Sequence, residues 1–366
     1  MAEGANGRIR SLQALRAIAF LGIFLSHVGF SYSWAGLAVS IFFVLSGFLL
    51  ALRHGQQPPS ASLRGCAGFA WQHVKRIYLL HIVCAVLFAF LRLVIEMTVG
   101  LKGETVLEVA GLLALNGALL QSWVPDQMIN ISLNGVAWFL SASVFLYFIF
   151  PLLIRGLSRL QSRALTALGL LMPVIQIAAY LPILALFRDQ SRVCVWFSYC
   201  FPVFRLGDFT AGCCLGLLYA RAGRRQATRV TAAGTLLERA ALALTVGEAW
   251  LRRRPYGSLF VTACFNNSSL YIWLALLWVY VFAARAGALT RLLDNRALAA
   301  VGDVSMYAYL IHFLLIQYVY NFSQLIRFSI GGPRRVPVIL LELALSLLLA
   351  AGYRRLAAMS AQLKAK

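Results

Sequence analysis

The chain alternates runs of about twenty apolar residues with short polar segments, most of which are basic. A run of that length is enough for a helix to cross the hydrocarbon core of a bilayer. The pattern predicts an all-α fold, a polytopic transmembrane helical bundle of about ten spans in a single membrane domain over residues 1–366. The predicted spans are 12–31, 36–53, 76–95, 136–155, 164–186, 204–220, 230–250, 268–286, 300–322 and 336–357.

One further apolar stretch, 105–121, is predicted not to cross the membrane. Cytoplasmic loops of membrane proteins collect Lys and Arg. If 105–121 crossed, the basic loop 155–163 would fall on the opposite side from most of the other basic loops. The stretch is therefore predicted to be re-entrant or interfacial on the outer side. This topology places both termini in the cytoplasm, as expected for a multi-pass protein of the inner, cytoplasmic membrane.

Composition and charge agree with this pattern. Hydrophobic residues make up 61% of the chain and charged residues 12%, against about 25% charged in soluble domains. The mean hydropathy is +0.79. A net charge of +21 would suit nucleic acid, but the basic residues concentrate in loops on one side of the predicted bundle, where membrane orientation accounts for them. The predicted partner is the lipid bilayer and no nucleic acid, and the oligomeric state is left open.

Arg16 and His27 interrupt the first apolar run, SLQALRAIAFLGIFLSHVGF. An ionisable side chain inside hydrocarbon is costly, so its presence indicates a functional site. Their spacing of eleven residues, at about 100° per residue, is about three turns, which puts both on one helix face about 16 Å apart. We expect this face to line a polar space through much of the bilayer.

His27 suits general-base activation of a hydroxyl, because imidazole titrates near neutral pH. The alternative is an imidazole that bonds to a neighbouring helix. The small residues at 46–48 in the next span would let a ligand or a backbone approach closely. Arg16 either neutralises an anionic substrate or holds the first two helices together.

A second basic group lies at the entrance to the third predicted span and contains His73, Lys75, Arg76 and Tyr78. Arg makes fork-shaped contacts with phosphate, so this group is a candidate docking site for the phosphates of a cytoplasmic donor. The basic bias of cytoplasmic loops would also place such residues here.

The segment 134–153 and the last part of the chain carry further candidates. Trp138 is placed like an interfacial anchor. Ser141 and Ser143 either line a pore or bond back to helix carbonyls. His312 lies about ten residues into its predicted span, where it either orients a site or packs.

Two charged residues in a later span, Arg205 and Asp208, are three positions apart and can pair on a helix. We expect this pair to be structural and to lie at a membrane boundary. The seven cysteines lack zinc-site spacing, and no HExxH motif, carboxylate cluster or phosphate-binding glycine loop is present in the sequence. No metal site is predicted.

Together these features resemble the integral-membrane acyltransferases of the acyltransferase-3 family, which O-acetylate bacterial surface polysaccharides, peptidoglycan and some macrolides. The most specific match is Arg16 followed by His27, the family's Arg-x10-His element. FFVLSGFLL at 42–50 is similar to the family's second helix and KRIY at 75–78 to its third-helix entrance. The segment beginning WFLS at 138–141 and YLIH at 309–312 match two later elements.

The chain departs from the family's pattern at three positions. Ser143 stands where an acidic residue is often found, and Leu79 stands where the family has proline. His73 replaces the first arginine of an Arg-x-x-Arg element. These departures bear on how the donor is held and on any role for a carboxylate.

The resemblance implies transfer of an acyl group, with acetyl-CoA as the expected donor, to a hydroxyl of a glycan or a small hydroxylated acceptor. The expected site residues divide by role. They are His27, Arg16 and His312 for catalysis, Lys75, Arg76 and Tyr78 for the donor, and Trp138 and Ser141 for the acceptor. His27 is either the base or a transient acyl carrier. The alternative function is a multi-span transporter or flippase, which would predict inverted repeats and broken helices that the sequence does not show.

Overall fold

The computed structural model describes residues 9–30, 32–99, 103–187, 191–223, 226–253, 258–265, 268–327 and 330–363, and every regular element in them is helical. The α-helices are α1 (Arg10–His27), α2 (Tyr32–His54), α3 (Leu63–Val99), α4 (Gly103–Gly117), α5 (Gln127–Asn130), α6 (Trp138–Leu157), α7 (Ser162–Phe187), α8 (Arg192–Val195), α9 (Pro202–Arg221), α10 (Ala232–Leu251), α11 (Leu259–Phe265), α12 (Tyr271–Ala284), α13 (Ala288–Leu293), α14 (Arg296–Leu325) and α15 (Arg335–Leu363). Short 3₁₀-helices lie at Gln121–Trp123 and Gly332–Arg334, and a π-helix lies at Trp196–Cys200.

Seven of the described helical segments are long and apolar enough to cross a membrane, and they contain α2, α3, α6, α7, α9, α14 and α15. α1 and α10, with 18 and 20 residues, and the shorter α12, with 14, pack in the same bundle. These helices occupy the positions of the predicted spans. The predicted all-α polytopic bundle is confirmed.

α3 begins at Leu63, well before the predicted start at residue 76. Its first turns are amphipathic, because Phe69 and Val74 are buried while Lys75 and Arg76 are exposed. The polar residues lower the average hydropathy of this part, so the apolar run in the sequence is shorter than the helix.

Several helices end together at one end of the bundle. The hydroxyl of Ser158, just after α6, donates to the carbonyl of Gly55, just after α2 (3.0 Å). Arg221, the last residue of α9, donates to the carbonyls of Ser158 and Leu160. We call this the basic end of the bundle and the other the opposite end.

Asp294 ties three more helices together at the basic end. Its carboxylate pairs with Arg10, the first residue of α1 (2.6 Å), and with Arg285, which follows α12 (2.5 Å). Asp294 itself lies just before α14. α1 and α14 therefore begin at the basic end, where α2, α6, α9 and α12 end. The chain must then cross the bundle an even number of times between the start of α1 and the start of α14.

α4 turns back inside the bundle instead of crossing it. The Tyr78 hydroxyl of α3 donates to the carbonyl of Gly117 at the end of α4 (2.7 Å). One turn further along α3, a ring nitrogen of His81 lies 2.9 Å from the carbonyl of Asn116. These contacts hold the end of α4 at the depth of the middle of α3.

The chain then returns to the end of the bundle from which α4 entered. The Ser141 hydroxyl of α6 donates to the carbonyl of Leu119 (2.6 Å). Beyond that point Asp126 lies 3.6 Å from Arg192, which begins α8 after the loop that follows α7. This is the re-entrant path that the charge pattern predicted for 105–121.

Glycines set the closest helix contacts in the bundle. A Cβ atom on Gly212 of α9 would overlap the carbonyl oxygen of Val44 on α2, and one on Gly47 of α2 would overlap that of Phe209. On α14, a Cβ on Gly302 would overlap the carbonyl of Gln13 on α1. Small residues let helix backbones approach closely in a membrane, where van der Waals packing drives association. We call these contacts the α2–α9 seam and the α1–α14 seam.

Replacement of Gly212 by alanine should destabilise the bundle by about 1–3 kcal/mol, because the new methyl group meets backbone that has no room to move. The measurement is thermal unfolding of the purified protein in detergent. Gly247→Ala on α10 is the matched control, since no atom lies within 4 Å of the position its Cβ would take. An equal midpoint for the two variants would show that the α2–α9 seam tolerates separation.

Candidate active site

A cavity of about 460 Å³ lies in the half of the bundle toward the opposite end. Gln127 of α5 and Arg252, which follows α10, contribute to its rim. Its walls come from α1, α2, α6, α7, α8, α12, α14 and the π-helix, and they include one tryptophan and four tyrosines. The lining residues that matter below are His27, Trp138, Ser198, Tyr199, Ser268, Tyr271 and Tyr309.

His27 is the last residue of α1, and its partly exposed ring forms part of the cavity wall. The ring of His312 on α14 lies beside it, with the centroids 5.3 Å apart and the planes at 74°. Phe313 closes the other side at 5.0 Å. The structure thus joins two histidines that are far apart in the sequence, at the boundary between a dry core and an open cavity.

His312 is fully buried, and the carbonyl of Ala308 lies 3.2 Å from its Nδ1. A carbonyl only accepts hydrogen bonds, so Nδ1 is the nitrogen that carries the proton in the neutral ring. Nε2 then has a lone pair, and it makes no hydrogen bond with the described residues. Nε2 of His312 is therefore a buried hydrogen-bond acceptor beside His27.

Arg16 and His27 lie on the same face of α1, but the space between them is not polar. Phe20 and Ile23 lie on that face, and both are buried. Phe20 packs edge-on against His312, with the ring centroids 5.7 Å apart. The predicted continuous polar wall is wrong. The wall consists of two polar levels with an apolar step between them.

Arg16 belongs to a second polar site toward the basic end. It lies within electrostatic reach of the Tyr147 hydroxyl, which also lies near the Ser46 side chain. The Tyr147 ring lies 5.2 Å from that of His73, and His54 lies close to His73. We call this set the basic cluster. Its members are Arg16, Ser46, His54, His73 and Tyr147.

An aromatic layer separates the basic cluster from the cavity. Phe139 of α6 packs against Phe43 of α2 at 4.4 Å and against Phe42 at 6.1 Å between centroids. On the cavity side, Phe139 lies 5.5 Å from Tyr309. On the other side, Ser46 donates to the carbonyl of Phe42 one turn away (2.7 Å).

Lys75 and Arg76 do not face the same interior as Arg16. Both are exposed, on the side of α3 that also carries the exposed Leu79 and Val86. Two residues along a helix turn the side chain by about 200°, so Lys75 points away from the side on which His73 meets Tyr147. Lys75 and Arg76 therefore do not share an interior space with Arg16, and His73 is the member of their group that faces the interior.

Three other candidates have assigned contacts. Trp138 is buried and lines the cavity, as an acceptor-binding residue would. The Tyr78 hydroxyl is used to hold α4. The Ser141 hydroxyl is used to hold the chain after α4 and does not line the cavity. Ser141 is therefore a structural residue of the re-entrant segment, and a direct acceptor contact for it is not supported.

The sequence reasoning missed several cavity residues, notably Ser198 and Tyr199 of the π-helix. The aromatic run WFSYCFP at 196–202 was the only available signal. The pair of Arg205 and Asp208 forms as expected, with their charged groups 3.5 Å apart, and both side chains are fully buried behind the cavity.

Comparisons with known proteins agree with this architecture. A family model described as an acyltransferase domain matches residues 9–353. The match runs from the start of α1 into α15 and includes the cavity and the basic cluster. Acyltransferase MdmB from Streptomyces mycarofaciens is 26% identical over 337 residues, which cover 85% of this chain and 80% of that protein. No solved structure matches the chain.

Proposed function

The chain belongs to the acyltransferase-3 family, and on that premise we propose that it transfers an acetyl group from acetyl-CoA to a hydroxyl of a glycan or a related acceptor. That it is a membrane-embedded acyltransferase follows from the family and from the helical bundle. One observation carries the finer proposal. The ring of His27 opens into a cavity and adjoins a buried histidine whose Nε2 makes no hydrogen bond with the described residues.

In the proposed reaction, the acceptor hydroxyl enters the cavity and His27 takes its proton. The acceptor oxygen attacks the thioester carbonyl carbon, and the C–S bond of acetyl-CoA breaks as the tetrahedral intermediate collapses. The CoA thiolate receives the proton held by His27. The products are the acetyl ester and CoA, and the imidazole is restored.

His312 would act through His27. A charged imidazolium is unfavourable next to buried apolar groups unless a partner stabilises it. The Nε2 lone pair of His312, on a ring 5.3 Å from that of His27, is such a partner. The ring of His312 is held by Ala308 and packed by Phe20, so it needs no reorganisation when the proton arrives.

We propose that the donor enters at the basic end. CoA is a cytosolic phosphate ester, and the basic end carries the positive charge expected of a cytoplasmic surface. Arg53, which is exposed beside His54 at the end of α2, and His73 are placed to meet the phosphates. The pantetheine arm would then follow the basic cluster past Arg16, and the thioester would reach His27 across the aromatic layer.

The reaction is tested with the purified protein in lipid nanodiscs, radiolabelled acetyl-CoA and a panel of mono- and disaccharides. Label should appear as an ester on an acceptor. His27→Ala should reduce transfer by about 10²–10⁴-fold, the usual contribution of a general base. Tyr318→Phe is the control, because its hydroxyl bonds to Leu87 on α3 and lies outside the cavity.

Three results would contradict this mechanism. A folded His27→Ala variant with full activity would remove the base. Label trapped on the protein after rapid acid quenching would mean that His27 carries the acyl group covalently. Movement of an acceptor across the bilayer without labelling would favour a flippase.

The donor site makes a second prediction. Arg53→Ala combined with His73→Ala should raise the KM for acetyl-CoA by about tenfold or more, since charge-assisted hydrogen bonds contribute about 1.5–3 kcal/mol each. Lys75→Ala combined with Arg76→Ala is the matched control and should leave that KM unchanged. If the Lys75/Arg76 variant raised the KM for acetyl-CoA and the Arg53/His73 variant did not, the donor phosphates would bind on the outward face of α3.

The orientation makes a third prediction. A cysteine at Asp126 should react with an impermeant maleimide added outside whole cells, and one at Arg159 should react only after the membrane is opened. The unsubstituted chain provides the background, because six of its seven cysteines are buried and the seventh is partly buried. Residues 1–8 and 364–366 lie outside the described part, so these loops stand in for the termini. Labelling from outside at position 159 and not at position 126 would show that the orientation is the reverse of the proposed one.

A further inference from the structure

We infer that Arg205 is a positioning residue that fixes the aromatic wall of the cavity, and that this wall holds the sugar ring of the acceptor. The wall is formed by the π-helix Trp196–Cys200 together with Trp138. The inference rests on the proposed function, because it concerns how that reaction holds its acceptor. Arg205 does not line the cavity itself. It lies behind the wall, and its side chain is fully buried.

Arg205 satisfies backbone groups that the π-helix leaves without helical partners. An α-helix continuing through this point would bond the N–H of residue 202 to the carbonyl of Ser198, but Pro202 has no N–H. The Ser198 carbonyl instead accepts from the Ser268 hydroxyl (2.9 Å). Arg205 donates through Nη1 to that hydroxyl (2.7 Å) and through Nε to the carbonyl of Tyr199 (2.8 Å).

The guanidinium also holds the rings of the wall. Its central carbon lies 5.0 Å from the ring centroid of Tyr199 and 5.6 Å from that of Trp138. Phe43 of α2 lies at the same 5.6 Å. A cation near an aromatic ring is attracted by the ring's quadrupole, and the attraction is strongest where water is excluded. One side chain therefore anchors both the backbone and the rings of the wall.

The charge of Arg205 is balanced locally and not by substrate. Asp208, one turn further along α9, lies 3.5 Å from Nη1, and the Gln176 side chain donates to its carboxylate (3.2 Å). Apolar residues of similar volume often give equal or greater stability than a buried ion pair. What an apolar residue cannot do here is hold the carbonyl of Tyr199 and the hydroxyl of Ser268, so the network specifies geometry.

The wall that results suits a sugar ring. The rings of Trp138 and Tyr199 lie 4.8 Å apart at 49°, and Tyr271 and Tyr309 add two more aromatic side chains to the cavity. A pyranose has a face of C–H groups that packs on aromatic rings and a rim of hydroxyls that hydrogen-bonds to polar groups such as tyrosine hydroxyls. An acyclic polyol has the same hydroxyls but no fixed face.

The inference is tested by kinetics with two acceptor probes, methyl glucopyranoside and sorbitol, and with acetyl-CoA. Ser268→Ala removes the link between Arg205 and the Ser198 carbonyl, and Arg205→Lys keeps the charge but loses the fork. Each variant should raise the KM for the glycoside several-fold. Each should also lower the ratio of kcat/KM for the glycoside to kcat/KM for sorbitol. The KM for acetyl-CoA should not change in either variant.

Arg92→Ala is the control, because Arg92 makes a solvent-exposed pair with Glu108 on the outside of the bundle. A purely structural role would lower the thermal midpoint of both variants without moving the KM for the glycoside, and that result overturns the inference. If Arg205→Lys does not fold, Ser268→Ala alone decides between a positioning role and a purely structural one. An enzyme that acetylates other hydroxyl compounds but never methyl glucopyranoside would overturn the sugar assignment while leaving acyl transfer intact.

Discussion

The close approach of helix backbones along the α1–α14 and α2–α9 seams is the constraint on which the rest of the structure depends. Lipid tails are as apolar as leucine, so helices in a bilayer associate through packing and not through exclusion of water. Gly302 lets α14 lie against α1, which brings His312 next to His27. Gly212 lets α9 lie against α2, which brings Arg205 within reach of the aromatic wall. The geometry of the site therefore depends on glycines at the two seams, where any side chain would hold the helix backbones apart.

The bundle divides its polar interior into two compartments. The basic cluster lies toward the basic end, and the cavity is lined by His27 and several aromatic side chains, with His312 buried beside His27. The aromatic layer of Phe42, Phe43 and Phe139 keeps them apart. In the proposed reaction, a thioester that crossed this layer to His27 would be away from bulk water, which would favour transfer to the acceptor over hydrolysis.

Periodicity and charge bias predicted the spans, the re-entrant α4 and the shared face of Arg16 and His27, because these follow from helix geometry and solvation along one segment. The outward orientation of Lys75 also follows from helix geometry, but only once the inward side of α3 is known. The π-helix could not be predicted. It depends on a missing N–H at Pro202 and on the contribution of Ser268 from a distant segment.

α1, the helix that contains Arg16 and His27, is among the less hydrophobic of the bundle. α1 is not among the described helices that are apolar enough to qualify as spans on composition, and its principal neighbour, α14, is the penultimate long helix of the chain. During biosynthesis α1 is therefore made long before α14, its principal neighbour. The pairing of His27 with His312 is complete only when nearly the whole polypeptide has been made, so a translation product that ends before α14 contains His27 without its neighbour.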